Sequence, residues 1–108
     1  MKNLLLVSVL LGALAAWPAR AGDPKAIYEK ECTKCHGADG KGQTKMGQKL
    51  KVKDYTAAKI QAEMKDDAAA KAIKEGLKDG EKTLMKPAEG LSDADIKGLI
   101  AHMRSFKK

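Results

Sequence analysis

Apolar residues near the end of the chain recur at steps of three and four, which is the spacing of one face of an α-helix. This stripe consists of Ile96, Leu99, Ile100, Met103 and Phe106. Ser92 and Asp95 have the spacing of a capping box, in which the side chain of each accepts a hydrogen bond from the backbone N–H of the other. The pattern therefore predicts a closing helix that begins after Ser92 and buries one face.

Three further helices are predicted upstream of this one. Asp23 followed by Pro24 combines an N-cap with a proline at the first helical position, which indicates a helix running into the two cysteines. A second helix is predicted from the cap Thr56 to Met64. A third is predicted to follow at once, with Asp66 or Asp67 as its cap and Gly76 as the glycine that ends it.

Two segments between the predicted helices, residues 37–52 and 77–90, interrupt the pattern. Glycines break both of them, and neither alternates apolar and polar residues as a strand does. We therefore expect irregular loops there. The pattern as a whole predicts an all-α domain of about four short helices.

The first 21 residues have the pattern of an export signal. Lys2 gives a positive start, residues 4–17 are almost entirely apolar, and Ala19-Arg20-Ala21 is a small-x-small cleavage site. We expect cleavage after Ala21, which leaves residues 22–108 as one domain. A membrane anchor is the alternative, but this apolar run is shorter than the ~20 residues that span a bilayer as a helix, so no stable membrane insertion is expected.

The charge of residues 22–108 is mildly basic. Without Lys2 and Arg20, 19 Lys and Arg residues stand against 14 Asp and Glu residues, a net charge of +5. The lysines are interleaved with acidic residues, and no basic run is backed by aromatic residues, so the pattern does not favour a nucleic-acid partner. We expect a solvated face that steers the protein weakly toward an acidic partner.

The same residues contain few large apolar side chains. Their aromatic residues are Tyr28, Tyr55 and Phe106, because Trp17 lies in the export segment. A domain this small usually recruits a disulfide, a metal or a cofactor to complete its core. We therefore expect something other than side chains to fill its middle.

The segment Cys32-Thr33-Lys34-Cys35-His36 has the spacing of covalent haem attachment. Residues three apart lie on one side of a helical turn, so both sulfurs can reach the two vinyl groups on one edge of a porphyrin. The adjacent imidazole can then turn under the ring, which makes His36 the predicted proximal iron ligand.

Three other uses of a C-x-x-C pair fit the sequence less well. A disulfide within the pair would close a very short loop and contribute little stability. A thioredoxin-like redox pair requires a βαβ setting, which the pattern does not show. Zinc requires four ligands, and His102 is the only other Cys or His in the chain.

Segments outside this motif resemble a small monohaem cytochrome c of class I, the His/Met-ligated class. Tyr28 lies four residues before Cys32, where that family usually has an aromatic residue. Gly47-Gln48-Lys49-Leu50 is similar to its Gly-Pro-x-Leu element, whose Pro carbonyl accepts a hydrogen bond from the proximal histidine. Gln48 occupies the Pro position, so a backbone carbonyl is retained there.

The second half of the chain carries the same resemblance. Met85-Lys86-Pro87 is similar to the Met-Pro ending of the family's ligand loop, with Lys86 inserted, and residues 73–76 are similar to the helix end before that loop. The closing helix resembles the family's C-terminal helix, which crosses the N-terminal one. His102 and Pro24 stand where the family has an aromatic residue and a glycine.

The resemblance implies a cytochrome c-like fold, with about four short helices and loops wrapped around one covalently bound haem c. Cys32 and Cys35 would form the thioether bonds, and His36 and Met85 would be the proximal and distal iron ligands. Met ligation raises the reduction potential of a haem.

Other residues compete with Met85 for the distal position. Met64 and Met103 fall on apolar helix stripes, where methionine usually packs in a core. Met46 is close to His36 in sequence, on the segment expected to serve the proximal side. His102 has Leu99 and Phe106 within one helical turn, which favours a packed or surface histidine.

The implied function is that of a soluble electron carrier, not an enzyme, which takes single electrons between redox partners in a bacterial periplasm. We expect a monomer whose lysines near the attachment site steer it to acidic docking surfaces; they are Lys30, Lys34, Lys41 and Lys45. The alternative is a five-coordinate haem sensor or peroxidase-like enzyme, which would need an open distal site.

Overall fold

The computed structural model describes residues 22–108. Within this range it contains six helices and one two-stranded antiparallel sheet. The helices are α1 (Pro24–Glu31), α2 (Thr33–His36), α3 (Lys45–Leu50), α4 (Ala58–Glu63), α5 (Asp66–Glu75) and α6 (Asp93–Arg104), and the strands are β1 (Leu77–Asp79) and β2 (Lys82–Met85). The predicted export segment lies outside the described residues.

Helix α6 confirms the prediction for the end of the chain. The Ser92 hydroxyl accepts a hydrogen bond from the Asp95 N–H at 3.1 Å, and the Asp95 carboxylate accepts one from the Ser92 N–H at 3.0 Å. The first four members of the predicted stripe are buried. Phe106 lies beyond the helix end at Arg104 and is half-buried.

Helices α1 and α6 pack against each other, as the resemblance implies. Gly98 permits the close approach, because a Cβ atom there would lie 2.8 Å from the Pro24 Cγ. The glycine at this crossing is therefore on the C-terminal helix, and proline is on the N-terminal one.

Two predicted loops contain regular structure, so that part of the prediction is wrong. Helix α3 lies within residues 37–52, and strands β1 and β2 lie within 77–90, with Leu77 opposite Met85. The helix has only six residues, too few to show a hydrophobic period. The strands have three and four residues and are largely exposed, so one-sided burial does not impose an alternating pattern.

The predicted caps of the two middle helices are also displaced. Thr56 is not the N-cap of α4; its hydroxyl donates to Asp54 Oδ1 at 2.6 Å. Lys65 is the N-cap of α5, and Asp66 and Asp67 occupy the first turn, where their charge favours the helix dipole. The end of α5 at Gly76 is confirmed.

One hydrophobic cluster holds the described helices together. Its buried members are Tyr28, Ile73, Ile96, Leu99, Ile100 and Met103. Half-buried side chains complete it, among them Cys32, Met64, Met85 and Phe106. This cluster, called the core cluster below, joins α1, α5 and α6.

A polar network fixes α4 and α5 to the end of α6. Gln61 is buried, and its amide donates to the carbonyls of Tyr55 at 2.6 Å and Met103 at 2.8 Å. The Arg104 guanidinium donates to the Met64 carbonyl and to Asp66 Oδ1, each at 2.6 Å. Among residues 22–108, no helix has the length and apolar character needed to cross a membrane.

Candidate functional site

The two cysteines and His36 lie on one short turn after α1. Cys32 ends α1 and precedes α2, which contains Cys35 and His36. Gly37 then ends the helix with φ +77°, a conformation that favours glycine. The structure thus brings together three of the four predicted haem-binding residues.

Both cysteines are half-buried free thiols. Burial, with a smaller contribution from the neighbouring Glu31, raises the pKa of Cys32 to about 11. Before any bond to haem forms, this thiol is therefore protonated at neutral pH. Its side chain packs against the core cluster, so the turn is anchored on its apolar side.

The half-buried His36 ring lies beside Tyr55, with 5.6 Å between the two ring centroids. Burial lowers the pKa of His36, so the imidazole is neutral at pH 7, the form that binds metals. Nδ1 is buried and has no hydrogen-bond partner within the described residues.

The resemblance led us to expect that the Gln48 carbonyl accepts a hydrogen bond from this histidine. The structure does not form that bond. The Gln48 carbonyl instead accepts one from the Lys51 N–H at 3.3 Å, where α3 ends with Lys51 in a left-handed conformation.

The backbone around His36 is held by hydrogen bonds on several sides. Its N–H donates to the Cys32 carbonyl at 3.0 Å, and its carbonyl accepts from the Gly42 N–H at 2.8 Å. The buried Tyr28 hydroxyl donates to the Gly37 carbonyl at 2.6 Å. These bonds tie the turn to α1 and to the following loop.

Helix α3 packs directly on α2, and Thr44 and Gly47 make the contact. The Thr44 hydroxyl points its hydrogen at two carbonyls, that of Lys34 at 2.7 Å and that of Cys35 at 2.9 Å. Its oxygen accepts a hydrogen bond from the Gly47 N–H at 2.9 Å. A Cβ at Gly47 would lie 2.2 Å from the Cys35 carbonyl oxygen. This position therefore requires glycine.

Met85, the predicted distal ligand, lies on a different element. It is the last residue of β2, is half-buried, and packs against the core cluster, as Cys32 does. The Ala88 N–H donates to the Ile73 carbonyl at 2.8 Å, and Gly76 lies against Met85 and Pro87. The hairpin that carries Met85 is thus fixed at its base to the end of α5.

The three other methionines of residues 22–108 have different surroundings. Met103 is buried in α6, and Met64 packs against the core cluster while its carbonyl binds Arg104. Met46 lines a groove of about 360 Å³ together with Lys34, Lys45 and Lys49. Two lysines of the predicted set, Lys34 and Lys45, therefore share one surface.

His102 belongs to an aromatic cluster. Its ring centroid is 4.9 Å from that of Tyr28 and 5.0 Å from that of Phe106. Of the two predicted settings for His102, packed or at the surface, the structure shows the packed one. The imidazole ring thus packs where the family has an aromatic side chain.

The turn from Cys32 to His36, called the attachment turn below, fits a covalently bound haem. Two thiols lie on one turn, and the adjacent imidazole is neutral, with its Nδ1 buried. Sequence reasoning did not identify Thr44 or Tyr55 as neighbours of this turn. Thr44 followed three residues later by a glycine was the available local signal, whereas the Tyr55 contact depends on chain folding.

Comparison with known proteins extends this result. The sequence profile of the family described as Cytochrome c matches residues 22–107. Cytochrome c-554(547) of Halothiobacillus neapolitanus is 33% identical over 96 residues, which cover 85% of this chain and 100% of the relative.

Two solved structures share the fold. One is that of the KustC0563 c-type cytochrome, with a TM-score of 0.71 and 32% identity, covering 81% of this chain and 100% of that one. The other is a mutant of Kustc0563, with a TM-score of 0.68 and 30% identity, covering 80% of this chain and 100% of that one.

Proposed function

The chain belongs to the cytochrome c family and is a haem-based electron-transfer protein, and from this premise we propose which of its residues bind the cofactor. Cys32 and Cys35 form the thioether bonds, His36 is the proximal iron ligand, and Met85 is the distal one. When bound, the haem c of this family takes up and releases one electron at its iron.

The observation that carries this proposal is the geometry of the turn from Cys32 to His36. Both thiols are on one helical turn, and the neighbouring imidazole is held neutral by burial. A neutral ring is ready to bind iron without first losing a proton.

The assignment of Met85 rests on the hairpin. Met85 ends β2, and the chain on both sides of it is fixed to α5 through Gly76 and Ala88. A thioether on a fixed element can occupy an axial position with little loss of conformational freedom. With both axial positions filled, substrate has no place at the metal, so we propose a carrier and not an enzyme.

We further propose that residues 1–21 are an export signal and that residues 22–108 work in the bacterial periplasm. The positive start, the apolar run and the small-x-small site support export.

The groove between α2 and α3 supports an acidic redox partner. Lys34, Lys45 and Lys49 surround the apolar side chain of Met46 there, directly beside the attachment turn. Positive charge at this edge attracts carboxylates, and the apolar centre excludes water once a partner is docked.

The Met85 assignment can be tested by optical spectroscopy of purified holoprotein. We expect the wild type to have a low-spin ferric spectrum with the weak far-red band of sulfur-to-iron charge transfer. Met85→Ala should lose that band because the thioether is removed. Met64→Ala is the matched control, since Met64 also packs half-buried against the core cluster, and it should retain the band.

Two results would contradict the proposal in different ways. A band that persists in Met85→Ala would refute this ligand alone. A high-spin wild-type spectrum that shifts readily with added cyanide would refute the six-coordinate carrier and favour the five-coordinate sensor or peroxidase-like alternative.

A further inference from the structure

The hydroxyl of Thr44 links two helices at the attachment turn. Its single hydrogen is shared between the carbonyls of Lys34 and Cys35, at 2.7 and 2.9 Å, and its oxygen accepts from the Gly47 N–H at 2.9 Å. Carbonyls in the last turn of a helix lack intrahelical partners. In α2 the Thr33 and His36 carbonyls accept from the backbone N–H groups of Gly37 and Gly42, and the Thr44 hydroxyl serves the Lys34 and Cys35 carbonyls.

The peptide that Thr44 reaches is the one that leads into His36. The carbonyl of Cys35 and the N–H of His36 belong to the same peptide plane, and that N–H donates to the Cys32 carbonyl. The close contact at Gly47 keeps α3 against this plane. The peptide before His36 is thus held from both sides.

The His36 ring lacks the bond that usually orients a metal-binding histidine. Such a ring generally donates its second nitrogen to a carboxylate, carbonyl or water. Here Nδ1 is buried and unpartnered within residues 22–108, and Gln48 gives its carbonyl to Lys51. Within the described residues, the Tyr55 ring and the His36 backbone are what hold this ring in place.

We propose that Thr44 is a positioning residue of the haem site, because its hydroxyl fixes the Cys35–His36 peptide and thereby the plane of the His36 ring and the reduction potential. This inference rests on the proposed role of His36 as an axial ligand.

Replacing Thr44 with valine keeps the shape of the side chain and removes the hydroxyl. We expect the His36 ring to turn and its bond to iron to weaken more in the ferric than in the ferrous protein, because ferric iron depends more on donation from the ring nitrogen. If the binding constant of His36 for iron fell tenfold more in the ferric than in the ferrous protein, the potential of this one-electron couple would rise by about 59 mV. Thr44→Ser keeps the hydroxyl and should leave the potential near that of the wild type.

The experiment compares holoproteins of the wild type, Thr44→Val, Thr44→Ser and the control Thr56→Val. The control also loses a threonine hydroxyl bond, the 2.6 Å bond to Asp54, but in the loop before α4. Two quantities are measured: the reduction potential, and the NMR shifts of the ferric haem methyl groups, whose order follows the plane of the axial ligands.

Support requires that the potential rises and the methyl shifts change in Thr44→Val, while Thr44→Ser and Thr56→Val remain like the wild type. Wild-type shifts and potential in Thr44→Val would overturn the inference, even if that variant were less stable to denaturant. Should the valine variant fail to accumulate, Thr44→Ala, which removes the hydroxyl with less bulk, is judged by the same two measurements.

Failure of the proposed function has a separate signature. A wild-type protein without covalent haem, or without a hyperfine-shifted His36 resonance, would refute the ligand assignment itself. An intact wild-type signature with an unchanged Thr44→Val spectrum would refute only the role of Thr44.

Discussion

Tyr28 joins the core cluster to the attachment turn at the scale of a single residue. Its ring packs at 4.9 Å from His102 and 5.3 Å from Phe106, and its hydroxyl donates to the Gly37 carbonyl. Burial raises the pKa of Tyr28 well above its ordinary value, and the nearby Cys32 makes a smaller contribution in the same direction. The folded protein therefore keeps the Tyr28 hydroxyl protonated at neutral pH, so that it can donate to the Gly37 carbonyl.

We expect Tyr28→Phe to lower the free energy of unfolding at neutral pH by about 0.5–1.5 kcal/mol, because the Gly37 carbonyl loses the phenol hydroxyl and keeps only the 3.2 Å bond from the Gly40 N–H. The folded-state pKa is raised, so the neutral phenol stabilises the protein fully below its ordinary pKa of 10.0, and this stability is lost as the pH rises above that value. The variant should therefore lose less stability than the wild type above pH 10. Urea denaturation between pH 7 and pH 11 measures both effects.

Tyr55→Phe is the control for this prediction. Burial raises the pKa of Tyr55 as well, but its hydroxyl makes no hydrogen bond to the described part of the chain. Its loss of stability at pH 7 should be smaller. Equal stability of wild type and Tyr28→Phe at pH 7 would contradict a stabilising Tyr28–Gly37 bond.

Residues whose role is encoded by neighbours in sequence were predictable, and those whose role depends on chain folding were not. Cys32, Cys35 and His36 form a local spacing, so their placement on one turn follows from helix geometry. Thr44 acts on carbonyls nine and ten residues away, and Tyr55 reaches His36 across a loop. The glycine three residues after Thr44 is the one local signal for its contact, and nothing near Tyr55 in sequence signals the contact with His36.

At the scale of elements, the same distinction separates α6 from α3 and the hairpin. Helix α6 has twelve residues, a capping box and a buried face, and each of these can be read from the sequence. Helix α3 has six residues and includes Gly47, and it depends on its Thr44 cap and on packing against α2. Isolated helices this short are not stable in water, so tertiary contact decides their formation.

At the crossing of α1 and α6, the effect of one substitution on stability should change sign with the residue at position 24. Alanine normally stabilises a helix interior by about 1 kcal/mol relative to glycine. At Gly98 the added methyl would lie 2.8 Å from Pro24 Cγ, a ring carbon that cannot swing away. We therefore expect Gly98→Ala to destabilise the protein by about 1–3 kcal/mol.

The same substitution in a Pro24→Ala background should be stabilising. Alanine lacks the Cγ atom, and the Cβ of residue 24 lies at an ordinary contact distance of 3.5 Å. Thermal unfolding of the four proteins of this double-mutant cycle gives the coupling free energy. Destabilisation of equal size in both backgrounds would show that the Pro24 ring is not the cause.

At the scale of the whole molecule, the distribution of charge matters more than its sum. Residues 22–108 carry a net charge of +5, but Lys34, Lys45 and Lys49 are concentrated around Met46 beside the attachment turn. At physiological salt, charges within about 8 Å of each other interact, whereas more distant exposed charges are largely screened. The groove should therefore dominate the approach of a charged redox partner.

We expect the double variant Lys45→Glu, Lys49→Glu to be oxidised by ferricyanide about tenfold more slowly at low ionic strength, because the anion is no longer attracted to the groove. Oxidation by a cationic cobalt tris(phenanthroline) complex should become faster. Stopped-flow kinetics at several salt concentrations measures both rates, and the differences should shrink as salt is added.

Lys71→Glu combined with Lys78→Glu makes the same change in net charge on α5 and β1. Both lysines are exposed, and neither lines the groove. This control should alter the two rates much less. Equal effects of the two double variants would mean that net charge, and not the groove, controls the approach.

The pairing of α1 with α6 also has a consequence for the order of events in biosynthesis. The first and last helices of the described domain meet at Pro24 and Gly98, so their contact can form only after nearly all of the chain is available. A chain that emerges amino end first presents Cys32 to His36 long before α6 follows. Haem attachment therefore has an interval in which the turn is accessible and the domain is still open.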